Sequence, residues 1–553
     1  MIKTRWIALA AGLLLLTAPT LGLITTWQVA TDPDSWTTGT ASAWSGGVPG
    51  ANDTAVFDGT GAATCLINDD AVCNRLVINE ATQSVTMDAG QSLTVGAGGV
   101  SFTDGDFDAG DIGVTVGGPC SIVAPASLTN SGTWIASASG DWVNATVGNA
   151  FARWRVTDDG GGSIVATRTG NVYCVNLHIG FADSIKGAYV TFVLPTTSNF
   201  LEDSGGTSVG GVTDIFITGT LTSTAATYPI SIEDSVYIHA TANTDTMVII
   251  EDFTSSGLVI DTVCFMDSTN VVTSVGDIVI GDGADLTSTG LWLMTGTGNL
   301  KNAISGNIFN ALVIAGTGSI VATRTGVVYA ESLIVGTDDS LLGAYTLLVK
   351  PDVDYFFANG GVIKGGYTIL QLAGINGTLN GFTIEESLKV IGASSADSLI
   401  PLSAITAAGV EISSVAWDDG GFNVTSEGSI VVHDTGGTLH STAVWTQTAA
   451  GTVVNRQPAN AFSKYVVTAT CLDTIFYNPS STNDSFTVAD TFDVTGSRGY
   501  TFLYGDPTGT LMFLPSTSTA TDCDIENLHV KNHVLRAVGC MARGHMSGVI
   551  CQQ

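Results

Sequence analysis

The side chains able to do chemistry in this chain are mostly carboxylates. The stretch "DGDFDAGD" places Asp104, Asp106, Asp108 and Asp111 close together. Alternating aspartates offer the hard oxygen ligands that Ca²⁺ takes, which makes this run the candidate calcium site. It lacks the glutamate at the twelfth loop position and the flanking helices of an EF-hand. Its other reading is a solvated turn between strands. The "DGAD" at 282–285 and "DPD" at 32–34 are shorter versions. Four Asp-Asp pairs, Asp69/Asp70, Asp158/Asp159, Asp338/Asp339 and Asp418/Asp419, raise the chemistry of glycoside hydrolysis, which uses two carboxylates. Neighbours on a strand point to opposite faces, however, so a pair in sequence is not a pair in space. No catalytic residue is assigned.

The last stretch, 523–553, gathers Cys523, His529, His533, Cys540, His545 and Cys551. Zinc accepts such ligands, but only His529 and His533 have a tight spacing. "ENLHV" there matches "VNLHI" earlier, so His529 corresponds to His178, an outward position on a strand. The chain has nine cysteines, an odd number. In an oxidising compartment Cys65 and Cys73 form the nearest local pair and one thiol is left over.

Positioning these groups falls to a repetitive β-structure. Runs such as "DIFITGTLTST", "SVYIHATA" and "TMVIIED" are rich in β-branched and aromatic residues and are closed by Gly, Asp, Asn, Ser or Thr. No window after the N-terminal segment has a helical period. Larger units recur as well. The pattern L-x5-W-x5-G-x3-N-x4-N-x-F starts at Leu128, Leu286 and Leu439, carrying Trp134, Trp292 and Trp445. It includes Asn144/Asn149, Asn302/Asn307 and Asn455/Asn460, and ends on Phe151, Phe309 and Phe462. "GSIVATRTG" appears at 162–170 and again at 318–326.

Such copying marks internal modules of about 155 residues. A shorter signature, Leu-x-Val/Ile, recurs in "CNRLVI", "CVNLHIG", "ESLIVG", "ESLKVIG" and "ENLHVK". Its two apolar residues share one face of a strand, and stacking such strands at about 4.8 Å buries an aliphatic column. The expected fold is therefore all-β, a right-handed parallel β-helix (β-solenoid). The alternative is a string of separate β-sandwich domains.

Within that frame the asparagines fix turn geometry. The tryptophans fill the core or an edge, unless they form an exposed row that stacks on sugars. Arg168 and Arg324, inside the copied phrase, are expected to pair with surface aspartates.

The chain carries 18 Lys and Arg against 50 Asp and Glu, a net charge of -32. Such a surface repels phosphate backbones and excludes nucleic acid as a partner. "MIKTRWIALAAGLLLLTAPTLG" has a basic start, a short apolar run and small residues before a cut, the layout of a secretory signal peptide over residues 1–22. No other stretch is apolar and long enough to span a bilayer, so no transmembrane domain is expected after cleavage. Residues 23–60 then read as a cap region and 61–522 as the solenoid. Its modules lie around 128–200, 286–356 and 439–500. Residues 523–553 form a last rung and the Cys/His tail.

"AWSGGVPGANDTAVFDGTG" adds a resemblance. Its W-x-G-G-x-P-x-x-x-D-x-A-x-F pattern, on Trp44, Gly46, Gly47, Pro49, Asp53, Ala55 and Phe57, resembles the opening of secreted bacterial β-helix surface proteins, autotransporter-passenger-like and adhesin-like. The resemblance covers residues 36–118. It implies a cap leading into the first coils and a location outside the cell. The terminal "HVLRAVGCMARGHMSGVICQQ" lacks the alternating strands of a membrane β-barrel. The expectation is a non-enzymatic secreted or cell-surface protein, structural or adhesive, with calcium, extracellular polysaccharide, the cell surface or its own copies as partners. Two alternatives are a carbohydrate-active β-helix enzyme, lyase or hydrolase, and a viral tail-fibre or spike protein.

Overall fold

The structure is a computed structural model. It describes residues 22–449 except 30–33, 38–42, 62, 81–83, 112, 159–161, 204, 224–229, 303, 352–355, 359–360, 374–375, 380–382 and 434–437; beyond 449 it describes the rung strands from 451–455 to 550–552. The fold is all-β, 58% strand, a parallel β-solenoid of about 17 turns with coils of about 21 residues. The chain divides into two compact units, Met1–Thr191 and Phe192–Gln553. The expected signal peptide lies outside the described residues, apart from Gly22.

In the first unit each coil pairs in parallel with the next. Ala55 registers with Leu76, Leu76 with Val100, Val100 with Cys120, Cys120 with Trp142, and Trp142 with Arg168. These are inward positions of one column, and all are buried. A second face stacks Asp34–Ser35, Cys65–Ile67, Ser84–Met87, Asp106–Gly110 and Ser127–Asn130. The expected cap region already supplies rungs, Ile24–Thr26 and Thr54–Phe57. Above them Trp44 meets Trp27 at 5.2 Å, Trp36 at 5.0 Å and Phe57 at 5.4 Å between ring centroids. Trp44 and Phe57 of the opening motif thus close the first coils with an aromatic cluster.

In the second unit the corresponding column runs Val236, Leu258, Ile278, Leu300, Arg324. The Leu-x-Val/Ile signature behaves as its period requires: Leu76 and Ile78, Leu177 and Ile179, Leu333 and Val335, Leu388 and Val390 are all buried. At the "ENLHVK" copy, Leu511 registers with Leu528 and Met512 with His529, so it too forms a rung.

The fixed positions of the long motif occupy equivalent places in each copy. Trp134, Trp292 and Trp445 are fully buried. Each lies between two rings, one coil before and one after. Phe107–Trp134–Phe151 are 5.9 and 5.0 Å apart, Phe265–Trp292–Phe309 are 5.8 and 5.0 Å apart, and Trp417–Trp445–Phe462 are 5.9 and 5.2 Å apart. Each such pair adds about 0.5–1.5 kcal/mol beyond its area burial. The core reading of these tryptophans holds and its alternative, an exposed row, does not form, because each faces inward in a stack of aromatic rungs.

Asn144, Asn149, Asn302 and Asn307 are buried and close the turns between coils. Asn144 Nδ2 donates to the carbonyls of Asn149 (2.7 Å) and Tyr173 (2.8 Å), and its Oδ1 accepts the Tyr173 N–H. Asn149 donates to Ala126 O (2.8 Å) and accepts from Leu128 N (2.9 Å). In the second copy Asn302 bonds Asn307 O and Tyr329 in the same way. Asn307 bonds Ala284 O (2.9 Å) and Leu286 N (2.8 Å). In each of these two copies two side chains thus satisfy five backbone groups. Asn460 lies outside the described residues. The motif glycine is a close approach: a Cβ on Gly140 would meet the Gly118 backbone at 2.6 Å, and one on Gly298 would meet Gly276 at 2.6 Å.

"GSIVATRTG" also sits in like surroundings. Ile164 N and Ile320 N donate to the buried carboxylates of Asp183 (2.9 Å) and Asp339 (3.0 Å). Ser163 and Ser319 hydroxyls each donate at 2.7 Å to a backbone carbonyl, of Ala182 and Asp338. Both acceptors are in matching turns, since Ala182 and Asp338 have φ of 61° and 69°. The expected surface pairing of the two arginines is corrected. Arg168 and Arg324 occupy inward rung positions and are buried, because the column they continue points into the coil. Arg324 makes a two-pronged pair with buried Glu386, Nη2–Oε2 2.5 Å and Nη1–Oε1 3.1 Å, and donates to Lys364 O. Arg168 donates to Thr191 Oγ1 (3.1 Å) and Gly187 O (2.8 Å).

Candidate functional site

The acidic run lies on the strand Asp106–Gly110 and its flanks. Asp106 and Asp108 point outward on the same face, with Phe107 and Ala109 buried between and beyond them. Asp104 accepts the N–H of Gly105 (2.8 Å) and Asp108 that of Gly110 (3.0 Å), so both shape turns. Asp111 is exposed. Among the described residues no three His, Cys, Asp or Glu side chains converge as a metal ion would require.

Two of the Asp-Asp pairs split between an outward and a buried position, whereas Asp69 and Asp70 are both exposed. Asp338 is exposed and Asp339 buried, and Asp418 is half-buried beside buried Asp419. Asp69 accepts from Thr37 and Asp70 from Ser92. Asp32 and Asp159 lie outside the described residues. Asp419 is enclosed by donors: Thr442 N (3.0 Å) and Oγ1 (2.9 Å), Ala443 N (3.1 Å), Gly421 N (3.1 Å) and Trp445 Nε1 (3.2 Å). Burial alone would raise its pKa, but these donors outweigh it and hold the carboxyl below its ordinary value.

The local Cys65–Cys73 pair is corrected. Both are free and buried, as are Cys120, Cys174 and Cys264. Cys65 belongs to the strand Cys65–Ile67 and Cys73 to Ala71–Ile78, on two different sheets of the coil. Each is an inward rung residue, and burial pushes the Cys73 thiol up to about 12. In the tail, His533, Cys540 and His545 lie outside the described residues. His178 is half-buried between buried Leu177 and Ile179, hence outward-facing.

What the fold does bring together is found on the outward side of the second unit's rungs. In the first cluster Asp214 registers with Tyr237, and Phe216 with His239. His239 in turn registers with Asp261. His239 Nε2 lies 2.7 Å from Asp214 Oδ1. The Tyr237 hydroxyl reaches Asp261 Oδ2 at 3.4 Å. Tyr237 and His239 are stacked at 4.6 Å, and Phe216 meets His239 edge-on at 5.0 Å. Burial raises the Asp214 pKa, with His239 acting against that shift.

The second cluster surrounds Glu411. The Tyr367 hydroxyl donates to Oε2 at 2.8 Å, His433 Nε2 lies 2.7 Å from Oε1, and the Lys389 ammonium bonds the same oxygen. Burial alone would raise the Glu411 pKa; Lys389, Tyr367 and His433 together hold it below its ordinary value. Tyr367 is pushed well up, by burial first and then by Glu411. Its reach across an intervening coil is possible because the rung positions beside it hold only Ser387 and Gly409.

The two clusters occupy equivalent rungs. Leu300 and Val453 follow the motif glycines by two residues, and stepping back coil by coil equates Ile278 with Ile430, Leu258 with Val410 and Val236 with Leu388. Tyr237 therefore stands where Lys389 stands, and Val259 where Glu411 stands. Neither cluster was legible in the sequence. Its members are separated by whole coils of unequal length, leaving no fixed spacing to detect.

Compared with protein-family models, curated proteins and solved structures, the chain matches none.

Proposed function

We propose that this is a secreted or cell-surface structural protein with an adhesive role and no enzymatic turnover, of the kind its opening motif resembles. One observation carries this reading. At equivalent rungs of the second unit the inward residues stay alike, Val236/Leu388, Leu258/Val410 and Ile278/Ile430, while the bulky outward ones change, Tyr237/Lys389, Val259/Glu411 and His239/Ile391, around small residues that stay, Ser235/Ser387 and Gly257/Gly409. A scaffold kept constant beneath a changing face is what a display surface needs. The acidic composition suits an exposed, soluble surface and disfavours polyanions.

Fluorescently labelled full-length protein, incubated with intact cells and insoluble polysaccharide, tests this reading. Retention without change to the polysaccharide is expected. Release of reducing ends or unsaturated sugars in proportion to protein would overturn it. Secretion is checked by N-terminal sequencing of protein recovered outside the cell, which is expected to start after Gly22.

A further inference from the structure

In the second module one outward face of the rungs is apolar. Leu293 registers with Val313 and Val313 with Ile334, and beside them Val271 registers with Leu291. These five are half-buried, and Val275, just beyond the strand that holds Val271, is 52% exposed. The outward positions between them hold only Thr, Ala, Ser and Gly, so four consecutive coils present no charge on this face. Folding does not demand it. The motif tryptophans align the modules, and the places of Leu291, Val313 and Ile334 are taken in the first module by Thr133, Arg155 and His178. In the third, Thr446 stands in the place of Leu293. The same inward scaffold therefore carries polar and charged residues here.

We propose that this face is where two copies of the chain pack, sheet against sheet. It spans four rungs at about 4.8 Å and three outward positions at about 7 Å, roughly 400 Å². Apolar patches of that size on soluble monomers are often functional. Two features select a second copy as the occupant. The side chains stand in rows that repeat at the rung spacing, and another stack of rungs offers grooves of the same period, as in sheets that pack about 10 Å apart. The face also carries no charge and needs none opposite, so it can meet itself across a two-fold axis. Roughly 400 Å² per copy is half of the about 800 Å² that each partner buries in a stable interface. The net charge of -32 opposes association further. The pairing is therefore weak, and screening by salt strengthens it. It goes beyond the adhesive reading and does not rest on it.

Sedimentation velocity of the purified full chain, over a range of concentrations in low and high sodium chloride, tests the proposal. A sedimentation coefficient that rises with concentration, more steeply in high salt, is expected. Val313→Arg copies onto this face what the first module holds at Arg155, and Leu293→Thr copies the third module's Thr446. Both should leave thermal melting unchanged. Val313→Arg sets like charges against each other across the pair and is expected to weaken association about tenfold or more, with a smaller loss in Leu293→Thr. Ile135→Arg, at the place in the first module equivalent to Leu293, is expected to change nothing. A monomer at every concentration and salt, association that weakens with salt, or a Val313→Arg variant that associates like wild type would overturn the pairing, as would an equal loss in Ile135→Arg. Cells that retain a strictly monomeric wild type but not Val313→Arg would assign the face to a partner on the cell; the pairing then falls and the adhesive reading stands. If the chain dimerises as expected but neither cells nor polysaccharide retain it, the pairing stands and the adhesive reading falls.

Discussion

The turn that leads into the motif tryptophan is built differently in the first module than in the second and third. Strand register makes the three comparable: Phe107, Phe265 and Trp417 lie opposite Leu128, Leu286 and Leu439. Two residues on, the positions are Ala109, Asp267 and Asp419. Asp267 accepts from Ser288 Oγ (2.6 Å), Thr289 N (2.8 Å), Gly290 N (2.9 Å) and Trp292 Nε1 (2.9 Å), and Asp419 is cradled by the matching residues. In the first module the acceptor is instead a backbone carbonyl, Gly110 O. It takes the N–H and hydroxyl of Ser131 at 2.6 and 2.9 Å, and Trp134 Nε1 is left without a partner. Backbone shape is common to all three: Gly110, Ser268 and Gly420 have φ of 55°, 48° and 60°. The aromatic stack and the turn's left-handed residue thus define the module. The means of satisfying the turn's donors can change.

The largest effects should fall on what the modules share. Trp134→Ala and Trp292→Ala each empty the centre of a three-ring stack, and each is expected to cost about 3–5 kcal/mol. Equal loss of hydrogen-exchange protection in the two modules' strands would bear this out, and a large difference would break the equivalence. Asn149→Ala and Asn307→Ala each strand a buried N–H and carbonyl. A cost of about 1–3 kcal/mol per unsatisfied group is expected, again alike in both modules and read in the same experiment.

Differences should follow from the carboxylate. Asp419 has a depressed folded pKa, so its stabilisation is complete above the ordinary aspartate value of about 3.9 and is lost as pH falls below it, through the folded value. Exchange protection around 438–447 is expected to fall on acidification and to become less pH-dependent in Asp419→Asn. Around 127–136 that dependence on a turn carboxylate has no counterpart at Ala109. The smallest effect is a gain: Ser268→Gly relieves a left-handed non-glycine residue and should stabilise the second module by about 1 kcal/mol. Gly420 already stands at that position in the third.

Much of this scaffold could be read from the sequence, because burial in a solenoid imposes short, regular rules. The two-residue offset of Leu388 and Val390 puts both inside, and the motif residues Trp292, Asn302, Asn307 and Phe309 recur because each meets the same neighbour one coil away. Arg324 was misread, since its sequence neighbours give no sign of Glu386, 62 residues later. Cys65 and Cys73 were paired on closeness along the chain, which says nothing about which sheet each strand joins. The outward clusters escaped for a related reason: Asp214, His239 and Asp261 come together through register alone.

That register is the central claim, and paired cysteines test it directly. Ile135 opposes Arg155 in the first module, Leu293 opposes Val313 in the second, and Thr446 opposes Val466 in the third. Replaced by cysteine two at a time, each pair sits on adjacent parallel strands about 4.8 Å apart, within disulfide range. Pairs displaced by two residues, Ile135 with Arg153 and Leu293 with Ala311, are about 8 Å apart and out of range. Mild oxidation is expected to link all three in-register pairs and neither displaced pair. Linkage of the displaced pairs, or of only one module's in-register pair, would contradict equivalent coils.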